Sequence, residues 1–381
     1  MKLSGARFGT GDRPLPVPDV ILADVGRAVE ELPTPALVLD LPAVMRNLAV
    51  MAGQIAMIPA ELRPHAKAHK SAEIARLQLE RGAIGITAAT VAEADAMARA
   101  GVSDILIANQ VVATPAMDRV VAVAARTTTT VAVDDLENVE MLASRAAAAG
   151  VLLGVVVEVD VGMGRGGART AREALTLAGR ASALPGIELR GLMGYEGHCA
   201  DERDVELRER KTRTSMARLM AVVDRCSAAG LGIEIVTAGA TGTYRFAGGH
   251  QGVTEVQPGS YVLMDRFHQG LAPEFECALT VLTTAVSKHG DLVVFDAGRK
   301  GIGTDLRLPD PPAWPGAELA FVHEEHLGVR FPGGAPYQLG DRVALVPGYA
   351  PTAVNLFGAY HVVDGGQVVD VWPVLARHGG G

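Results

Sequence analysis

Between about residues 61 and 265 the chain repeats one pattern eight times, and this repeat constrains the fold more than any other feature. Short apolar runs appear in the order PHAK, IGITAAT, DILIANQ, TTTVAVDD, LLGVVVEVD, LRGLMGYEG, IEIVTAGATGT and TEVQPGSYVLMD. Ala-, Glu- and Arg-rich helical segments separate the first seven; the last two are joined by a shorter stretch of weak helical character. Strands this apolar, alternating with helices, require a parallel sheet covered on its faces by those helices. Eight units in about 210 residues suit a closed (β/α)8 TIM-type barrel, somewhat compact for that fold. An open doubly wound sheet is the alternative on pattern alone.

After Asp265 the texture changes. CALTVLTTAVSK, DLVVFDAG, DRVALVPG and AYHVVDGGQVVDVWPVL are strand-like and separated by Gly and Pro. The sequence therefore predicts a C-terminal antiparallel β domain over residues 266–381 and a barrel over 42–265. Residues 1–41 read as an extended arm, rich in Pro, Gly and Asp over its first thirty or so residues, ending in a strand, ALVLDL, that joins the β domain. Leu41-Pro42 opens a helix running from about Ala43 to Ile58.

Charge and cysteine usage narrow the function. A net charge of −8 over 381 residues argues against a nucleic-acid surface or an anionic membrane surface and fits a small-molecule enzyme. Cys199, Cys226 and Cys277 form no CxxC and cannot all pair. With no signal-like N-terminus, a reduced cytoplasmic protein is expected. No apolar run reaches the roughly 18–20 residues that a membrane span needs.

Barrel residues at the C-terminal strand ends face the active site. Four such ends are unusually polar here: HAKAHK, EVDVGMGRGG, GYEGH and TAGATGTY. If LRPHAKAHK is a strand, His65, Lys67 and His69 share a face. Lys67 is then an inward amine able to condense with a carbonyl, while Lys70 at the helix entry is expected to be solvated. His65 and His69 are read as hydrogen-bonding supports of the lysine, not metal ligands. The loop containing Gly239, Thr241, Gly242 and Thr243 offers backbone N–H groups and hydroxyls to an anion. A lysine facing a phosphate loop is what pyridoxal 5'-phosphate requires.

These motifs, with TPALVLDL before them and DAGRKGIGTD, EEH and VPGYAPTAVN after them in order, resemble the fold-type III pyridoxal-phosphate enzymes. The similarity is to the branch holding D-threonine aldolase, 3-hydroxy-D-aspartate aldolase and D-serine dehydratase, and runs from about Thr34 to the end. The resemblance implies a homodimer whose chains complete each site, acting on a small amino acid. It implies Lys67 as the Schiff-base lysine, Arg165 near the cofactor's phenolic oxygen and Tyr195 against its ring. Gly239, Thr241, Gly242, Thr243 and Tyr261 would lie near the phosphate, and His198 near the substrate.

One motif departs from the pattern. Where the family carries a His and an Asp or Cys that bind a divalent metal, this chain has Tyr349 and Pro351. Proline has no donor atom and a neutral phenol is a poor ligand, so no metal is expected at this position. Tyr349 would stand opposite Lys67, acting as acid or base if nearby charge lowers its pKa. The first expectation is a lyase that cleaves Cα–Cβ of a D-configured β-hydroxy-α-amino acid. The alternatives are a racemase or epimerase with Lys67 and Tyr349 as opposed bases, a D-serine-type dehydratase, and a noncatalytic pyridoxal carrier. The carrier proteins are barrels alone, so the β domain speaks against the last.

Overall fold

The computed structural model describes residues 19–309 and 316–377, so residues 1–18 of the N-terminal arm lie outside the described residues. Two eight-stranded sheets divide the chain. β1 (Ala36–Asp40) is followed by the barrel strands β2 (Glu61–Leu62), β3 (Ile86–Ala88), β4 (Asp104–Ile107) and β5 (Thr128–Val133). β6 (Leu153–Glu158), β7 (Ile187–Met193), β8 (Ile235–Ala238) and β9 (Glu255–Val256) complete the barrel. The second sheet adds β10 (Leu279–His289), β11 (Leu292–Phe295), β12 (Glu318–Val322), β13 (Leu327–Arg330), β14 (Arg342–Leu345), β15 (Ala359–Asp364) and β16 (Gln367–Pro373).

In the first sheet all pairs are parallel, in the order β2-β9-β8-β7-β6-β5-β4-β3. Between β2 and β3 the ring is joined by the His65–Thr87 bridge, by Ile84 N–H to the Leu62 carbonyl and by Thr87 N–H to the Pro64 carbonyl. The doubly wound alternative is thereby excluded. Strand alternation explains the packing: Leu106, Ala132, Val156, Met193 and Ile235 form a separate interior cluster. Their neighbours Ile105, Val131, Val155 and Val157 join the main core with the helices. Helices begin where a short polar side chain accepts from the first turn: Ser71, Thr90, Asp135 and Asp204, with a full capping box at Thr170 and Glu173.

In the second sheet β1 lies between β10 and β15, antiparallel to the former and parallel to the latter. All its other pairings are antiparallel. The predicted helix after β1 is Leu41–Ile55, capped by Asp40 with Pro42 in its first turn. The described part of the arm contains a helical turn at Asp19–Leu22 and a 3-10 turn at Val29–Glu31, not extended chain throughout. A helix at Ala350–Leu356 interrupts the β texture and carries Tyr349 at its N-cap. Among the described residues no helix is long and apolar enough to cross a membrane.

Candidate active site

At the C-terminal ends of the barrel strands lies a cavity of about 400 Å³, in the size range of small-ligand sites. Lys67 lines it, but not from a strand. β2 ends at Leu62, and Ala66–Ala68 is a single 3-10 turn. The turn arises because His65 Nδ1 accepts the Lys67 N–H at 3.4 Å, a cap that bends the chain out of the sheet. The expected shared face for His65, Lys67 and His69 is therefore lost. His65 lines the cavity and supports Lys67 through its backbone, whereas His69 is fully buried and caps Ser71 N–H at 3.1 Å. Lys70 is not solvated as expected. A positive φ of 49° turns it inward, where Nζ meets Glu93 Oε1 at 2.5 Å and the Ala376 carbonyl at 3.1 Å. A buried ammonium is tolerable only with such partners.

Burial, and then the charge of Arg165, lowers the pKa of the Lys67 amine, with Glu93 opposing. More of it is neutral, and hence nucleophilic, than for an exposed lysine. The Tyr195 ring lies 5.5 Å from the Lys67 ammonium and 5.2 Å from the Arg165 guanidinium. Arg165 rides on a loop shaped by Asp160, which accepts Gly162 N–H and Gly164 N–H at 3.0 Å and pairs with Arg169. Glu158 at the end of β6 faces Arg165 at 3.7 Å. Burial holds its carboxyl above the usual range, with Gln110 and Arg165 pulling the other way.

Opposite Lys67 the loop after β8 forms an anion cradle, and the structure sorts its residues. Gly239 sits at φ +86°, a backbone that side chains rarely adopt. Its N–H donates to buried Glu196 at 3.1 Å, and the Thr243 hydroxyl donates to the same carboxyl while accepting from Ala240 N–H. Thr243 N–H bonds the Ala240 carbonyl. Thr243 thus builds the loop and has no donor left for a ligand. The N–H groups of Thr241 and Gly242 have no protein partner among the described residues, and both residues line the cavity. Thr241 Oγ1 accepts the Tyr261 N–H at 3.2 Å, leaving its own proton free. A Cβ on Gly242 would lie 2.4 Å from the Ala200 carbonyl, so only glycine fits there. Tyr261 reaches the cradle through its backbone. Its phenol accepts from Gln78 at 3.1 Å, away from the cavity.

The remaining end of the cavity comes from Phe267, His268, Leu306 and Tyr349. Burial, and then Tyr195, Asp265 and Asp305, push the Tyr349 phenol up to about 12, so the lowering by nearby charge that would make it a base does not occur. His198 is exposed, hydrogen-bonded to Ser215 at 3.4 Å, and absent from the lining. Several lining residues escaped the sequence reading, among them Asn109, Asp201, Gln257, Ser260 and His268. Ser260 stood inside the quoted PGSY, and His268 follows Asp265 at a three-residue spacing just past the last barrel motif.

A barrel with a lysine and an anion cradle at its mouth, closed by a second β sheet, defines a class, and the comparisons agree. Residues 39–266 match the model for the alanine racemase N-terminal domain and residues 278–363 that for a putative serine dehydratase domain. The chain belongs to this alanine racemase-like family. It is 34% identical over 367 residues to a 3-hydroxy-D-aspartate aldolase of Paracoccus denitrificans (strain Pd 1222), covering 92% of this chain and 94% of the relative. A D-threonine aldolase of an Arthrobacter species is 35% identical over 363 residues, covering 93% and 95%. The crystal structure of D-threonine aldolase from Filomicrobium marinum superposes with a TM-score of 0.89 at 32% identity, covering 93% of this chain and 99% of that one.

Proposed function

We propose that this chain is a pyridoxal-phosphate-dependent carbon–carbon lyase acting on a D-configured β-hydroxy-α-amino acid by reversible aldol cleavage. The observation that carries the reading is the shared cavity of the Lys67 amine and the free N–H groups of Thr241 and Gly242. Aldolases similar over nine-tenths of the chain support the reaction type. Bound pyridoxal phosphate would supply a carbonyl for the amine and a ring that withdraws the electron pair released at Cα.

The chain's own residues account for the rest. Thr241, Gly242 and Ser260 would hold the phosphate, and the Lys67 amine would hold the carbonyl carbon. Arg165 keeps positive charge beside Tyr195, and Tyr195 walls the cavity next to Lys67. Tyr349 stays protonated at neutral pH and donates to substrate oxygen. Tyr349 and Pro351 do not make a divalent-metal site, because proline has no side-chain donor and a neutral phenol is a poor ligand. No step is assigned to a metal. The racemase reading keeps one support, since Lys67 and Tyr349 share the cavity, but a phenol at about 12 is a weak base.

The reading extends to a cytoplasmic homodimer, supported by three free cysteines and by the exposed Leu306, Leu308 and Leu356. Incubating the holoenzyme with D-phenylserine tests it. Aldehyde and glycine support the lyase; 2-oxo acid and ammonia would make it a dehydratase. Solvent deuterium at Cα with the skeleton intact would make it a racemase, and a cofactor spectrum without turnover a carrier.

A further inference from the structure

The lyase reading leaves one position unfilled, because a group must take the β-hydroxyl proton and no metal ligands stand at 349 and 351. We propose that His268, oriented by Asp265, is the acid/base at the substrate's β-oxygen. This inference rests on the lyase reading and specifies its proton transfer.

The geometry of the pair is that of an oriented base. His268 Nδ1 lies 2.8 and 3.0 Å from the two oxygens of Asp265, whose side chain is fully buried. A carboxylate can only accept there, so Nδ1 carries the proton and Nε2 is the basic nitrogen. Nε2 has no protein partner among the described residues, and the ring lines the cavity. The carboxylate also accepts His268 N–H and Ala350 N–H, each at 2.8 Å, so it fixes the imidazole and the Tyr349 cap together. His268 and Tyr349 stack with centroids 5.7 Å apart, and Phe267 closes edge-on against both.

The other titratable groups of the cavity are less suited. His65 accepts the Lys67 N–H and bonds the Thr87 backbone, so both of its nitrogens are engaged. Lys67 is committed to the cofactor, and Tyr349 is held protonated. Asp201 lines the rim and is exposed, so it is tested as the competitor. In cleavage, Nε2 takes the β-hydroxyl proton and the O–H pair becomes the second bond of the aldehyde carbonyl. The Cα–Cβ pair goes to Cα, which is reprotonated through solvent to give glycine. Asp265 offsets the imidazolium charge formed.

The test compares wild type, H268Q, D265N and D201N, each loaded with pyridoxal phosphate, in two reactions. Aldehyde release from D-phenylserine needs a base at the β-oxygen; exchange of the glycine α-proton for deuterium does not. H268Q should keep the cofactor's visible band and its exchange within about twofold, and lose aldehyde release by about 10²–10⁴-fold. D201N should release aldehyde within a few-fold of wild type. Ring-nitrogen NMR of the cofactor-free protein should show His268 protonated at Nδ1 in wild type and not in D265N, which keeps the proposal testable should H268Q fail to fold. Aldehyde release at the wild-type rate in H268Q, or lost only in D201N, overturns it. So does wild-type release that a chelator abolishes and manganese restores. Wild type that exchanges glycine but cleaves no β-hydroxy-D-amino acid sinks the lyase reading itself, and the proposal with it.

Discussion

The two ends of the cavity are built by different means. The cradle end is mostly backbone: N–H groups of Thr241 and Gly242, a glycine under the Ala200 carbonyl, and a Thr243–Glu196 brace beneath. Apart from the Glu196 carboxylate and the Ala200 carbonyl, these groups come from one loop of five residues, 239–243. The opposite end is entirely side chain, and its parts arrive from distant segments: Phe267 and His268 after the barrel, Leu306 and Tyr349 from the second sheet's connections. They are joined by Asp265, by Arg266 N–H to the Pro347 carbonyl and by Phe267 N–H to the Gly348 carbonyl, both at 3.2 Å. A backbone cradle tolerates little change, because Gly242 is fixed under the Ala200 carbonyl. A side-chain wall can take other residues without disturbing the fold.

The sharpest way to break this contrast is at Lys67, which both ends need. K67A should lose cofactor attachment and reduce cleavage by on the order of 10⁴-fold or more; a visible band surviving denaturation would refute its role. G242V should act on the cradle alone. The added side chain meets a fixed carbonyl, so cofactor affinity should fall by about 10²-fold or more while thermal stability drops by roughly 1–3 kcal/mol. Y349F should do the reverse. Cofactor affinity should stay near wild type and kcat fall by about 10–10²-fold, the value of one lost hydrogen-bond donor. Equal losses of affinity at both ends would erase the distinction.

This division also explains what was legible. The barrel, the second sheet and the cradle loop could be read because each rests on local pattern: apolar strands, capped helices, a Gly/Thr turn. Lys67 was found as a residue type at a strand end, although the strand stops at Leu62 and a His65 cap makes the turn. Thr241 and Thr243 look equivalent in sequence; only the buried Glu196, brought in from β7's end, separates donor from brace. Lys70 appeared solvated because its partner Glu93 lies a helix away. His268 was missed for the same reason, since nothing local places an Asp-x-x-His beside residue 349.

A pH experiment probes the electrostatics between the two ends. Burial and then Arg165 lower the Lys67 pKa, so cofactor capture by the free protein should rise with pH at a midpoint below that of an exposed lysine. Removing the guanidinium in R165Q removes a positive charge that favours the neutral amine, so the midpoint should move to higher pH. A midpoint that stays put or falls would mean that Arg165 does not act on Lys67 through charge.

The smallest effect is expected at His198, which the family resemblance placed near the substrate. Its ring faces Ser215 on the long helix Val205–Ala228 and the Gly162 turn, and burial and then Arg218 hold its pKa below the usual value. Gly197, beside it in sequence, lines the cavity while His198 does not, because the helical turn Gly197–Ala200 swings the imidazole outward. H198A should therefore leave aldehyde release within about twofold and stability within roughly 0.5 kcal/mol of wild type. A loss of tenfold or more would bring a third chain segment into the side-chain wall, one that approaches the substrate from the barrel side.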